Sequence, residues 1–251
     1  MQDAGFNFLK LQNFIFSYGF YILLFGLIVL FGFISNDFLS ISNWTQISIA
    51  ACFLLAASAG LTLVLITGNI DLSIGSIAYL AATAVYLTAD YSPMVSVLAA
   101  ILVGTTFGLF NGFLVAYLKM NSLLTTLGLM IAYRGLALVI TGGSMHYIGK
   151  PLASFGSVKF FYNSLPLIFL VSFVLMFILQ IIIKKTRFGT YCYAVGNNET
   201  AATRIGIPVR EVKVLAFVFS GICAAISGLL LSMYLGEITT FTGRGMEFQA
   251  V

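Results

Sequence analysis

Long apolar runs separated by short polar connectors dominate this chain. A helix needs about 20 mostly apolar residues to cross the hydrocarbon core of a bilayer, and several runs approach or exceed that length. The candidate spans are Tyr18–Ile34, Ile47–Thr67, Leu72–Thr88, Met94–Leu118, Leu123–Thr141, Leu165–Ile183 and Val214–Leu235. The pattern predicts an all-α, polytopic membrane helical bundle of about seven spans, forming a single transmembrane domain over residues 1–251.

The composition agrees with a lipid environment. Charged residues make up 8% of the chain and hydrophobic residues 60%, whereas a typical soluble chain carries roughly 25% charged residues. No Lys/Arg-rich face interleaved with aromatic residues is present, which argues against nucleic-acid binding. The cysteines lack metal-ligand spacing. The sequence therefore predicts membrane lipid as the surroundings, with no nucleic-acid partner, no metal site and no cofactor.

The basic residues predict an orientation, because Lys and Arg concentrate on the cytoplasmic side of membrane proteins. With the N-terminus in the cytoplasm, eight basic residues fall inside and three outside, and Arg134 lies within a span, which accounts for all 12. The inside group is Lys10, Lys119, Lys184, Lys185, Arg187, Arg204, Arg210 and Lys213, and the outside group is Lys150, Lys159 and Arg244. We therefore expect a cytoplasmic N-terminus.

Small residues recur at helical spacing in two spans. Gly104, Gly108 and Gly112 lie four residues apart, and a Ser220-Ala224-Gly228 series repeats that spacing. Small residues at this spacing allow helices to approach closely in lipid. The pattern favours tight packing within one bundle over a specialised dimer motif.

Polar residues interrupt the apolar pattern around residue 70. Gly68 and Asn69 are typical of a helix end, and Asp71 is expected to cap the following helix. Non-helical backbone at membrane depth must be buried in protein or line a water-filled cavity. Two interpretations are open: an interfacial turn, or a break that helps to shape a translocation path. The candidate path residues are Asn69, Asp71, Ser73, Ser76 and Arg134.

Arg134 is a separate case. An arginine inside a span is costly unless it faces protein or water or reaches an interface. Its position is equally compatible with a structural pairing and with a place on the path.

Residues 184–213 form the extended hydrophilic loop of the chain, and they contain a short predicted helix. Asn198 is a good N-cap and Glu199 adds negative charge to the first turn. Arg204 is basic in the last turn, and Gly206 suits a left-handed closing residue. At about 1.5 Å per residue, this is a rod on the order of 10 Å long. A rigid cytoplasmic helix suits docking onto a partner protein, whereas the alternative is a basic loop whose charges only fix topology.

Two of these segments resemble a known family. Ile66–Ser76 is similar to the GGIDLSVGS signature of permeases from ribose-, xylose- and galactose-type sugar importers, and Arg187–Ile207 resembles their cytoplasmic coupling loop. Leu123–Arg134 and Thr141–Ser144 are similar to intervening segments of the same family. The resemblance covers nearly the whole chain, in order.

The resemblance implies the permease subunit of an ATP-binding-cassette importer that moves a monosaccharide across the bacterial inner membrane. Its implied partners are a cytoplasmic ATPase on each coupling loop, a second permease subunit in a homo- or heterodimer, and a periplasmic sugar-binding protein. The chain itself would be a transport subunit and not an enzyme. The residues assigned to ATPase coupling are Gly196, Asn198, Glu199, Ala202, Arg204 and Gly206.

Other functions remain open at this point. The related autoinducer-2 importers and branched-chain amino-acid permeases share much of this plan. An ion-coupled secondary transporter would need intramembrane ionisable residues, for which Asp71 and Arg134 are the candidates. A membrane enzyme has little support, because no acid/base pair, metal cluster or nucleophile converges. Since family members usually continue for several helices beyond a segment like Gly243–Val251, the chain is expected to be shortened at its C-terminus.

Overall fold

The computed structural model describes residues 2–160 and 165–250 of the chain. The helices are α1 (Gln2–Ile34), α2 (Ile41–Ile66), α3 (Ile74–Leu87), α4 (Pro93–Ala116), α5 (Ser122–Thr141), α6 (Lys150–Ser157), α7 (Leu167–Lys185), α8 (Arg187–Asn197), α9 (Glu199–Arg204), α10 (Val209–Leu235) and α11 (Met246–Gln249). The strands are β1 (His146–Tyr147), β2 (Lys159–Phe160), β3 (Leu165–Pro166) and β4 (Glu237–Ile238).

The chain divides into two compact units, of which the first ends at Ile47. This unit holds α1 and the first turns of α2. Asn43 closes the connection between the two helices by donating from Nδ2 to the Phe38 carbonyl at 2.7 Å. Large side chains of α1 such as Phe25 and Phe33 are exposed, as suits a helix that faces lipid. The side chain of Lys10, assigned to the inside group, lies outside the described part of the unit.

Six helices of the described chain are long and apolar enough to cross a membrane. The predicted all-α membrane bundle is confirmed. One predicted span needs correction, because Leu72–Thr88 contains the shorter helix α3 of 14 residues. At 1.5 Å per residue, α3 extends about 21 Å, less than the roughly 30 Å hydrocarbon core.

The second unit, from Ser48 onward, is built around α3 and α10. The side chains of α3 are buried on nearly every face of the helix, which explains why its sequence is apolar all round. Phe217 on α10 and Tyr79 on α3 are among the largest side chains with no exposed surface. These two helices form the centre of the unit.

The glycines of α4 allow α10 to approach closely. A Cβ atom on Gly104 would collide with the Gly221 backbone, and one on Gly108 would lie 2.5 Å from the Phe217 carbonyl oxygen. Gly112 packs in the same way against the backbone of Val214. These three glycines therefore lie where the backbones of α4 and α10 approach most closely.

Short antiparallel pairings join the connecting segments. In the pairing of β1 with β4, His146 lies opposite Ile238, and this brings together the chain that follows α5 and the chain that follows α10. At the other end of α10, helices α8 and α9 lie beside its first turns, where Lys213 of α10 reaches Glu199 of α9.

Candidate functional site

Helices α2 and α3 are separated by a seven-residue connection, residues 67–73, which we call the break. Side chains within the break hold its backbone. Gly68 adopts a left-handed backbone with φ of 75°, as expected for a residue that ends a helix. Asn69 donates from Nδ2 to the Thr67 carbonyl at 3.0 Å. The predicted helix end at Gly68-Asn69 is therefore confirmed.

The predicted capping role of Asp71 is wrong in detail. Helix α3 begins two residues later than expected, with Ser73 in the N-cap position and no side-chain cap. The Asp71 carboxylate instead accepts from the N–H and the hydroxyl of Ser73, at 3.0 and 2.7 Å. It therefore stabilises the turn before the helix rather than the first free N–H groups within it.

Asp71 is the end point of a buried hydrogen-bond chain. Tyr133 donates to Asn111 at 2.7 Å, and the Asn111 amide donates to the Ser73 hydroxyl at 2.7 Å. Ser73 in turn donates to one carboxylate oxygen of Asp71, and Ser220 donates to the other at 2.9 Å. Asp71, Ser73, Asn111 and Ser220 have no exposed surface. The network ties the break to α4, α5 and α10 at once.

Helix α5 forms hydrogen bonds to the break and to the start of α3. The Thr126 hydroxyl accepts from the Leu72 N–H at 3.1 Å. One turn further on, Ser76 donates to the Met130 carbonyl at 2.7 Å. Ser76 has no exposed surface, and its hydroxyl is already occupied by this hydrogen bond.

Arg134 lies further along α5 and is half-buried. Its guanidinium is 5.7 Å from the centre of the Tyr79 ring, and Nη1 donates to the Thr240 carbonyl at 3.4 Å. Nη2 is buried without a hydrogen-bond partner, as is Oε2 of Glu247. Sequence reasoning missed Glu247, because nothing local marks it as a neighbour of a residue more than 100 positions earlier.

Helix α9 has the predicted ends. Asn198 caps it by accepting from the Ala201 N–H at 2.9 Å. Gly206 closes it in the left-handed conformation, with φ of 83°, and the last helical residue is Arg204. The short capped helix expected from residues 198–206 is therefore present.

One face of α9 is anchored to the bundle and the other is exposed. Ala202 is buried with 2% exposure, and Glu199 forms an ion pair of 2.6 Å with Lys213. Thr203 and Arg204 face outward, and the adjoining Ile205 is 75% exposed. Ile205 was not among the predicted site residues, although a large aliphatic side chain within a polar loop is a usable signal.

Helix α8, which precedes α9, was not predicted. Its C-terminal end contacts the break directly, because a Cβ atom on Gly196 would collide with the Ile66 carbonyl. Gly68, within the break, also lies beside Gly196. Burial raises the pKa of Cys192 in α8 to about 11, so this thiol stays protonated and serves to pack the helix.

A polar cleft lies between the break and α9. It has a volume of about 240 Å³, and its polar lining comprises Asn69, Lys119, Glu199 and Lys213. Among the candidate path residues, Asn69 faces this cleft, whereas Asp71, Ser73 and Ser76 belong to the buried framework behind it. Arg134 is not among the residues that line the cleft.

Comparison with known proteins relates this arrangement to transport. Residues 43–251 match the family described as "Branched-chain amino acid transport system / permease component". The chain belongs to this permease family. It is therefore a transport component and a multi-pass membrane protein, as its apolar helices indicate.

Individual relatives are bacterial import permeases. The chain is 35% identical over 233 residues to the autoinducer 2 import system permease protein LsrC of Yersinia pestis (strain Pestoides F), covering 90% of this chain and 64% of that protein. It is 34% identical over 229 residues to LsrC of Yersinia enterocolitica, covering 90% of this chain and 63% of the relative. The chain thus spans slightly less than two thirds of these relatives. No solved structure matches it.

Proposed function

We propose that the chain is the membrane-spanning permease of an ATP-driven importer, which moves a small polyhydroxylated solute across the bacterial inner membrane. The observation that carries the proposal is the capped helix α9, anchored through Ala202 and exposed on its other face. In a chain of the permease family, such a helix offers a rigid docking element for a separate ATPase. The N-terminus, α8 and α9 then lie on the cytoplasmic side, as the distribution of Lys and Arg favours.

The docking surface consists of the outward face of α9 and the residue that follows it. Thr203, Arg204 and Ile205 form this surface. Burying an aliphatic side chain of this size stabilises an interface by about 1.5–3 kcal/mol, so an ATPase that covers Ile205 gains affinity. Asn198 and Gly206 fix the ends of the helix, and Gly196 fixes its distance from the break.

Movement passes from α9 to the bundle through direct contacts. When the ATPases close, α8 and α9 shift together, and Gly196 presses on the carbonyl of Ile66 because no side chain separates them. The displaced break carries Asp71 with it, and the hydrogen-bond network then moves α3, α4, α5 and α10 as one body. This is a rigid-body transition of the kind that packed interfaces support.

The break also shapes the translocation path. Asn69 lies at the cleft beside α9, where it can contact a solute that leaves on the cytoplasmic side. Asp71, Ser73 and Ser76 keep the adjoining backbone in place. The remaining partners are a second permease subunit, which completes the pore, and a periplasmic binding protein that delivers the solute.

Two substrate classes have specific support. The relatives named for autoinducer 2 import and the resemblance to sugar permeases favour a sugar-like solute. The family description favours a branched-chain amino acid. The structure gives the first class further support through the free donor and acceptor at Arg134 and Glu247.

ATP-dependent uptake into proteoliposomes tests the function. The assembled transporter, with its ATPase and binding protein, is offered radiolabelled D-ribose, autoinducer 2 or L-leucine in separate arms. We expect E199A and R204A to lower uptake about tenfold, the effect of losing roughly 1.4 kcal/mol of coupling. Both variants should insert normally.

T200A, which changes a neighbouring exposed residue of the same helix, is the matched control and should transport normally. Full uptake by E199A and R204A would show that α9 is not the coupling element. Robust uptake on an imposed proton or sodium gradient without ATP would identify a secondary transporter instead.

A further inference from the structure

Two opposite charges lie buried and incompletely paired in the half of the bundle away from α9. Nη2 of Arg134 and Oε2 of Glu247 are both buried without a hydrogen-bond partner. Glu247 is only 5% exposed. Buried polar atoms are nearly always satisfied in native proteins, so both atoms call for a partner that the described residues do not supply.

The surrounding residues hold the two groups in place. Tyr79 lies under the guanidinium of Arg134, and the Thr240 carbonyl accepts from Nη1, which leaves Nη2 free. The Gly245 N–H donates to Oε1 of Glu247 at 3.3 Å, which leaves Oε2 free. Each group is therefore oriented through one atom and lacks a hydrogen-bond partner at the other.

Gly75 makes room for the carboxylate. A Cβ atom at this position would collide with Oε2 of Glu247 and with the Gly243 carbonyl. The segment that carries Glu247 can therefore pack against the start of α3 only because residue 75 is glycine.

Arg134 and Glu247 form no direct ion pair. Among the described residues, the ion pair joins Glu199 and Lys213. A single group that contacted both atoms would accept from Nη2 and donate to Oε2. A hydroxyl does both at one oxygen atom. The opposite charges offset each other, so a neutral group fits this position better than a charged one.

We propose that Arg134 and Glu247 bind a hydroxyl group of the transported solute. The inference rests on the proposed function and assigns a contact site to its polyhydroxylated solute. One hydroxyl contact holds a solute only weakly, as passage requires, because a transported molecule must also leave its site.

Direct binding tests the site without ATP or an ATPase. Saturation-transfer NMR would be recorded on the full-length permease in detergent, with D-ribose, D-xylose, D-galactose and L-leucine as probes. We expect at least one of the sugars to receive saturation from the wild type, and that signal to fall to background in R134Q/E247Q. R244Q removes an exposed charge from the same segment and should keep the signal.

Uptake at saturating binding protein gives the second readout. The maximal rate should fall about tenfold in R134Q, E247Q and R134Q/E247Q, consistent with the loss of a hydrogen bond to a charged group. Normal uptake by the double variant, with impaired single variants, would show that the charges only neutralise each other.

Three binding results would overturn the proposal. Equal sugar signals in the wild type and the double variant would leave an ordered water molecule as the bridge. Absence of a sugar signal in the wild type would exclude a hydroxyl site, and a signal from L-leucine alone would assign a zwitterion. Failure of ATP-dependent uptake in the wild type would contradict the proposed function, while the binding results would still decide this site.

Discussion

Among the described residues, no cation pairs with the buried carboxylate of Asp71, and hydrogen bonds hold it instead. Ser73 and Ser220 supply three donors to its two oxygens. Isolating a charge from water costs several kcal/mol unless such bonds compensate. Because the donors come from the break and from α10, the same bonds that satisfy the charge also fix the position of the break.

Replacing Asp71 separates the effect of shape from that of hydrogen bonding. D71A leaves both serine hydroxyls and an N–H without their acceptor, and each such loss costs about 1–3 kcal/mol. D71N keeps one carbonyl acceptor and the same shape. We expect thermal unfolding in detergent to show D71A much less stable than D71N, with D71N slightly below the wild type. Equal stability of the two variants would contradict the structural role of the network.

At the scale of secondary-structure elements, the glycines of α4 determine how closely α4 packs against α10. Each one removes a side chain at a point where the backbone of α10 passes, so α4 and α10 pack backbone to backbone. In lipid, where apolar side chains gain little from leaving the solvent, such close contact is a main source of helix association.

Substitution of one glycine tests this packing against a matched control. In G108A the new methyl group would meet the Phe217 carbonyl and the Val218 Cα atom, so the helices must separate. G128A places the same methyl group on α5, where nothing lies within 4 Å.

Thermal unfolding in detergent should show G108A destabilised by about 1–3 kcal/mol, the usual cost of overpacking. G128A should be unchanged or more stable by up to about 1 kcal/mol, because alanine favours the helix. Equal effects of the two substitutions would contradict the close α4–α10 contact.

The elements that sequence could predict are those encoded by local pattern. Apolar length identified the six long helices, and the capping residues of Asn198–Gly206 identified α9, because both signals lie within one stretch of chain. Helix α8 was missed because its two glycines and its polar residues indicate a loop. Its glycines are instead needed where it meets Ile183 and Ile66, and those contacts form only in three dimensions.

In the candidate site, too, local features could be predicted from the sequence and long-range contacts could not. Gly68 and Asn69 correctly indicated a helix end, since their effect is on their own backbone. The capping role of Asp71 was mistaken, because its carboxylate is occupied by Ser73 and by a serine 149 positions away. Glu247 was missed for the same reason, as its neighbours Gly75 and Arg134 are distant in sequence.

At the scale of the whole molecule, coupling through α9 requires one orientation in the membrane. The basic residues favour α9 on the cytoplasmic side and the β1–β4 connections outside. The native cysteines are buried, so a cysteine-free background should retain the fold when small residues replace them.

Introduced cysteines would report this orientation. T203C and S144C replace exposed residues at opposite ends of the bundle. A membrane-impermeant maleimide added to intact cells should label S144C and leave T203C unlabelled, and inside-out vesicles should reverse the result. Labelling of T203C in intact cells would place α9 outside and exclude contact with a cytoplasmic ATPase.

The most direct measurement of the central claim is a cross-link between α9 and the ATPase. I205C, in a cysteine-free permease assembled with its ATPase and binding protein, would be treated with a short bifunctional thiol reagent. We predict a permease–ATPase adduct at I205C whose yield changes when ATP binds, and no adduct at S144C. No adduct at I205C, with the assembled transporter still taking up its solute, would contradict coupling through α9.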